Sequence, residues 1–255
     1  MFLIHLIFPL FLTAQPNEPM LNLQNYFVIW NVGQGQWTTL VSAETCQHFD
    51  VGGETIKNLK KNLSVFCKNK ANQVFLTHWD WDHISYLKFL FETFPEVCMA
   101  RGPAVATKDR RKIILLKSLK ICNSDNLAAQ VLDLNSNNPL YGHVIGKNSS
   151  NQSSQVFYLS SVRILIPGDS PTSEENIWQQ NSEIKKVKGL VLGHHGSRTS
   201  TSFDLLNHLQ NLKWAVCSSR KQKYGHPSAE VVFRLHRKKL PLLSTEIWGN
   251  IIFEL

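Results

Sequence analysis

"THWDWDHIS", Thr77–Ser85, places two histidines and two aspartates within six consecutive positions, directly after the apolar run Val74-Phe75-Leu76. Gln73–Thr77 reads as a strand. A strand that ends there delivers a loop whose backbone can bend until His78, Asp80, Asp82 and His83 converge. Imidazole and carboxylate together suit a divalent cation, and four ligands bunched this closely can serve two metals. The plain alternative is a surface loop that merely collected polar residues; the HxDxDH spacing argues against it.

Outward from this loop the chain punctuates itself. Upstream, Tyr26–Trp30 reads as a strand, "NVGQGQ" (Asn31–Gln36) as a tight Gly-containing turn into a second strand, Trp37–Val41, and a further strand ends at "FDVGG", Phe49–Gly53. Ile56, Leu59, Leu63 and Phe66 recur at spacings of three and four, which predicts an amphipathic helix over Glu54–Phe66. Downstream, Ile84–Phe94 reads as a helix ended by Pro95, while "IILL" among basic residues leaves Lys108–Lys120 open to either state. Gly146–Ser154 is a polar loop, followed by strands at Val156–Leu159 and Val162–Ile166. The remainder alternates: helix Glu174–Lys186, strand Gly189–Leu192, helix Phe203–Leu209, strand Trp214–Cys217, helix Ala229–His236 and a terminal strand at Ile251–Leu255. Early strands joined by short turns, then alternating strands and helices, predict an α/β domain of two mixed sheets with helices outside.

Composition sets the frame for function. At 43% hydrophobic and 18% charged the chain is globular, without repeats, and its 255 residues suit one large α/β domain. A net charge of +8 favours anionic partners such as nucleic acid, phosphoesters or an acidic membrane surface. No nucleic-acid motif with interleaved aromatics stands apart from the metal loop, which argues against sequence-specific recognition. Residues 1–14 are apolar but would span only about 21 Å as a helix, short of the roughly 30 Å hydrocarbon core. They are read as a signal peptide cut near Ala14, or as an uncleaved anchor, followed by a linker over 15–25; the expected location is exported, periplasmic or extracellular, or membrane-associated. The five cysteines are widely spaced with no CxxC, so neither a disulfide framework nor a zinc ribbon is expected.

"THWDWDHI" resembles the HxHxDH signature of the metallo-β-lactamase superfamily, with Asp80 in place of the second histidine. With "NVGQGQ", "LIPGDS" (Leu165–Ser170), "LGHHGSRTSTS" (Leu192–Ser202) and "YGHPS" (Tyr224–Ser228) in family order from about residue 26 to 255, the chain resembles the soluble C-terminal hydrolase domain of ComEC-type DNA-internalisation competence proteins. The resemblance implies an αββα four-layer sandwich and two divalent ions, zinc or manganese. It implies His78 and Asp80 on a first metal, Asp82 and His83 on a second, and Asp169 bridging the two. His194 is assigned to the second metal and His195 to bracing a ligand or orienting phosphate, an assignment that can be swapped. Asp80 and Asp169 are the groups expected to hold the attacking water. His226 is a general acid or a further ligand, and Ser197, Arg220, Lys221 and Lys223 are candidate phosphate contacts. A superfamily histidine about 25 residues before the bridging aspartate has a weak candidate in His143; ComEC-like members show instead an Asn/Ser pattern, resembled by Asn151 and Ser154. Without that imidazole the first site is oxygen-rich and suits manganese better than zinc. The family's first turn carries Asp where Asn31 and Gln36 stand, which implies a missing carboxylate behind the ligands and weakened metal affinity.

The function expected on this resemblance is metal-dependent hydrolysis of phosphodiesters, with DNA, single-stranded or non-specific, as substrate and a membrane DNA-translocation channel as partner. Two other readings stay open at this point. One is an esterase of the same fold acting on a small phosphodiester, lactam or thioester; the other is a non-catalytic DNA-binding component with a degraded site.

Overall fold

The computed structural model describes residues 25–56, 59–117, 119–123, 131–134 and 149–255. The expected signal segment, most of the linker and His143 lie outside the described residues. Among those described, no helix is long and apolar enough to cross a membrane.

Two mixed sheets face each other. In the first, β1 (Tyr26–Ile29), β2 (Thr38–Val41) and β3 (Thr45–Phe49) run antiparallel, and β4 (Ala71–Phe75), β5 (Cys98–Arg101) and β6 (Lys120–Ile121) extend β3 in parallel. β13 (Ile251–Glu254) closes this sheet against β1, the terminal strand that the sequence predicts. The second sheet joins the antiparallel β7 (Val131–Asp133), β8 (Phe157–Leu159) and β9 (Ile164–Ile166) to the parallel β10 (Gly189–Val191), β11 (Trp214–Cys217) and β12 (Leu242–Ser244).

The period of two along each strand decides which layer a side chain joins. Phe27 and Ile29 of β1 meet Phe49, Phe75, Phe157, Ile164 and Ile166 in a core between the sheets. Tyr26 and Val28 point the other way, onto Leu59 and Leu63 of α1 (Leu59–Cys67) and Leu87 and Leu90 of α3 (Leu87–Thr93). On the far side Leu165, Leu190 and Ala215 pack on Trp178 of α5 (Thr172–Trp178), Leu205 of α6 (Phe203–His208) and Val231 of α7 (Ala229–Arg237). Helix, sheet, sheet and helix thus make the four expected layers. Phe49, Phe75 and Phe157 hold the two sheets together, with ring centroids 5.0–5.9 Å apart; such pairs contribute about 0.5–1.5 kcal/mol each beyond burial.

Local readings change or close at several points; the helix expected over Glu174–Lys186 is α5 and a separate 3-10 turn, Ser182–Lys186. The helix expected over Ile84–Phe94 is two pieces, α2 (Trp81–Ile84) and α3, because the Tyr86 N–H donates to the Val51 carbonyl and Ser85 bonds the Gly53 backbone. The open stretch Lys108–Lys120 holds α4 (Arg110–Lys117), whose Ile114 is exposed. The cysteines do pair: Cys46 on β3 with Cys67 at the end of α1, and Cys98 on β5 with Cys122 just beyond β6, leaving Cys217 free and buried. The partners are 21 and 24 residues apart and are brought together by neighbouring elements, β3 beside α1 and β5 beside β6, so no local spacing betrays them. Unfolded without reductant, the protein should therefore expose one thiol to a thiol-reactive dye, and five after reduction. Replacing Cys46 and Cys67 together by alanine should lower unfolding stability by about 3 kcal/mol, the chain-entropy value for a loop of this length. Five thiols without reductant would contradict the pairing.

Candidate metal centre

All the candidate ligands leave the carboxyl ends of parallel strands, where open α/β sheets place their sites. Asp50 follows β3, His78–His83 follow β4, Asp169 follows β9, His194 and His195 follow β10, and Ser218–His226 follow β11. Two glycines let these loops meet. A Cβ on Gly168 would lie 2.7 Å from Thr77 Cβ, and one on Gly52 would lie 2.4 Å from the Asp82 carbonyl.

Asp169 lies at the centre, buried, and divides its two oxygens. Oδ2 faces His78 Nε2 at 3.7 Å and His194 Nε2 at 3.6 Å, while Asp80 Oδ2 stands 3.5 Å from the same His78 nitrogen. Oδ1 faces His83 Nε2 at 3.1 Å and His195 Nε2 at 3.8 Å, and Asp82 Oδ2 stands 3.2 Å from His195. Donor atoms of His78, His83 and Asp169 lie within 4.8 Å of one another, as do those of Asp82, His83 and His195. Donors about 2.0–2.2 Å from a shared cation in tetrahedral array sit roughly 3.4 Å apart, so these spacings match ligands around a cation. His78 Nε2 and Asp169 Oδ1 are buried without a hydrogen-bond partner, which a cation would supply.

The backs of the imidazoles are held. Asp50 Oδ2 takes hydrogen bonds from His83 Nδ1 at 2.7 Å and from the Thr77 hydroxyl at 2.8 Å, and Oδ1 takes the Thr77 N–H at 2.8 Å. A carboxylate only accepts, so Thr77 spends its proton on Asp50 and accepts in turn from His78 Nδ1 at 2.9 Å. His195 Nδ1 donates to the Ser218 carbonyl at 3.1 Å. Three rings thereby keep Nδ1 protonated and turn Nε2 towards Asp169. The Asp169 N–H is itself held by Ser154 Oγ at 3.1 Å.

The electrostatics follow from this crowding. Burial alone would lower His83, but the charges of Asp169 and Asp50 raise it well above the ordinary histidine value. Burial would raise Asp169, and the charges of His83 and His195 hold it well below the usual carboxylate range. Asp82 is likewise held low against its burial, by the His195 hydrogen bond and the charge of His83. The close approach of His78 lowers Asp80. Ionised carboxylates thus converge on imidazoles, a donor chemistry that suits a divalent cation.

The structure brings His78, Asp80, Asp82, His83, Asp169, His194 and His195 together, with two changes of place. His195, not His194, lies with Asp82 and His83. Both residues have left-handed backbones, φ 49° and 53°, and their side chains diverge to the two sides of Asp169. The carboxylate that Asn31 and Gln36 fail to supply comes from Asp50, which Gln36 Nε2 bonds at 2.9 Å; Asn31 is exposed and bonds Asn250. Ser197 Oγ contacts Thr199 Oγ1 at 3.0 Å, and Thr199 Oγ1 lies 3.4 Å from His194 Nδ1, so Ser197 backs a candidate ligand. The His226 ring lies 6.1 Å from that of His194, and its Nδ1 is buried without a partner.

The basic residues are placed otherwise than expected. Glu54 Oε1 accepts from Lys223 at 2.5 Å and Tyr224 at 2.7 Å, and Oε2 accepts from the Gln34 N–H at 3.1 Å and Arg220 at 3.3 Å. Lys221 gives its backbone N–H to Glu246 at 3.0 Å. Arg220 and Lys223 therefore clasp the first-sheet loop to the loop after β11. Burial alone would raise Glu54, but the bonds from Lys223, Tyr224 and Gln34 pull it down to about 2 from 4.5. A carboxylate lowered on folding stabilises above its unfolded pKa and loses that contribution as pH falls through the folded one. The urea midpoint of wild type should thus exceed that of Glu54→Gln by its full margin above pH 4.5, with the margin closing towards pH 2. A margin unchanged over that window would count against the clasp.

No family model matches the chain. It is 33% identical over 88 residues to Recombination protein 2 of Haemophilus influenzae, 34% of this chain and 11% of that protein. It is 24% identical over 192 residues to ComE operon protein 3 of Bacillus subtilis, 71% of this chain and 24% of that protein, and 36% identical over 94 residues to Competence protein ComA of Neisseria gonorrhoeae, 36% and 14%. The matches span at most about a quarter of these relatives' length. Among solved structures, the metallo-β-lactamase fold protein YhfI of Bacillus subtilis superposes with a TM-score of 0.57 at 11% identity, covering 91% of this chain and 99% of that one. The fold is that of the metallo-β-lactamases.

Proposed function

We propose, from a metallo-β-lactamase fold and sequence relatives that include Competence protein ComA, that this chain is a metal-dependent phosphodiesterase that cuts DNA during its uptake. The observation that carries this reading is the divided carboxylate of Asp169, whose two oxygens face two separate sets of His and Asp donors. A first cation would be held by His78, Asp80, His194 and Asp169 Oδ2, a second by Asp82, His83, His195 and Asp169 Oδ1. When bound, two such ions, zinc or manganese, supply Lewis acidity and positive charge beside a phosphodiester.

The chain's own residues do the positioning. Asp50, Thr77 and Ser218 fix the rings of His83, His78 and His195, so that their donor atoms need no reorganisation. Burial, with the charges of His194 and His195, lowers His226 below the ordinary histidine value. We assign it to a hydrogen bond at the leaving oxygen. The +8 charge favours a polyanion. Two disulfides suit an oxidising compartment outside the cytoplasm, where incoming DNA is met.

The test is degradation of labelled single- and double-stranded DNA by chelated protein resupplied with manganese, magnesium or zinc, beside Asp82→Ala. Metal-dependent cutting that the variant lacks is the expected result. Binding without cutting in every metal would replace the enzyme with a DNA-binding component, and turnover of small diesters alone would replace DNA as the substrate.

A further inference from the structure

Trp81 stands between the ligand candidates Asp80 and Asp82, yet it is 39% exposed. Its neighbour Trp79 is turned inward and donates its indole N–H to the Val105 carbonyl, which ties the segment before α4 to the metal loop. At the start of α4, the Arg111 guanidinium lies 5.3 Å and the Lys112 ammonium 5.4 Å from the Trp81 ring centroid. Arg111 is also paired with Asp109 at 3.2 Å, which fixes its direction; Lys112 has no ion pair among the described residues. An exposed indole with two cations is thus built onto the rim of the metal centre, apart from the Glu54 clasp.

We infer that Trp81, with Arg111 and Lys112, is a stacking platform for single-stranded DNA, holding a base beside the metal centre while its flanking phosphates meet the two cations. Every base has a π-face, so an aromatic ring next to a cationic track binds single strands without reading sequence. The cations hold the indole in place through cation–π attraction. Duplex DNA covers both faces of each base within its own stack and has none to offer the ring. An acidic peptide would satisfy the cations but leave the indole without a partner.

The platform rests on the DNA reading above, and the two fail separately when binding is measured on a strand that resists cutting. The full chain with manganese is titrated against a fluorescent phosphorothioate oligothymidine and a phosphorothioate duplex. Trp81→Ala is expected to weaken single-strand binding about tenfold or more, the size of one base–aromatic stack, with duplex affinity within about twofold and Trp81→Phe close to wild type. Undiminished single-strand binding, or equal losses on both DNAs, would overturn the platform. Should metal analysis show that Trp81→Ala no longer retains manganese, Lys112→Ala decides instead: about threefold weaker single-strand binding with a shallower salt dependence supports the platform, and no change overturns it. A Trp81-dependent preference in a protein that cuts no natural DNA would leave the platform standing and sink the nuclease. Cutting with no dependence of binding on Trp81 would do the reverse.

Discussion

Asp169→Ala should reduce DNA cleavage by at least about 10³-fold at saturating metal, a loss of ~4 kcal/mol of transition-state stabilisation. Asp169 is the only described residue whose carboxylate faces both donor sets, at 3.1 and 3.8 Å through one oxygen and 3.6 and 3.7 Å through the other. Removing it takes a candidate ligand from each side at once and leaves buried imidazoles facing one another, His83 and His195 at 3.3 Å. Bound metal should fall below two ions per chain, and the defect should lie in kcat, since the substrate's remote phosphates are untouched. Asp169→Asn separates shape from charge. It keeps the volume and one acceptor oxygen, so a comparable loss would assign the effect to the second oxygen and the negative charge. Steady-state kinetics with metal analysis on both variants decide the matter, and cleavage by Asp169→Ala within tenfold of wild type would remove the bridging role.

What could be read from sequence was whatever is local. The strand Gln73–Thr77 and the HxDxDH loop occupy neighbouring positions, so their chemistry shows in a short window, and the four layers follow from strand and helix periodicities that each segment carries by itself. What escaped was long-range. Cys46 and Cys67 meet only because β3 and α1 are neighbours. Arg220 and Lys223 look like free cations until the fold brings Glu54, 166 and 169 residues earlier in the chain, onto them. The order of His194 and His195 depends on two left-handed backbones that no residue type there announces. Asp50 was readable only as a residue at the strand end "FDVGG". The available signal was its position at the end of a strand parallel to the one bearing the metal loop, and that pairing becomes visible only with the sheet register.

Asp50→Asn should weaken metal binding about 10–100-fold without moving any candidate ligand in the sequence. Asp50 is fully buried and accepts from four groups: the Thr77 N–H on Oδ1, and the Thr77 hydroxyl, His83 Nδ1 and Gln36 Nε2 on Oδ2. An asparagine has the same shape and tolerates the left-handed backbone, φ 54°, so the exchange tests hydrogen bonding and not strain. Neither orientation of the amide satisfies the site. With its oxygen in the Oδ2 position, its NH₂ points at the Thr77 N–H. Turned over, its NH₂ meets the Gln36 amide and donates to His83 Nδ1, which moves the ring proton to Nε2, where it competes with a cation. Thr77 then loses the acceptor for its hydroxyl proton, and His78 loses the partner that keeps its own Nε2 free. Leaving such groups unsatisfied should also lower unfolding stability by about 1–3 kcal/mol. Zinc titration calorimetry beside the imidazole nitrogen shifts of His83 separates the two effects. A proton on Nε2 with weakened zinc binding is the expected pair of results, whereas affinity within threefold of wild type would show that the rings hold their orientation without Asp50.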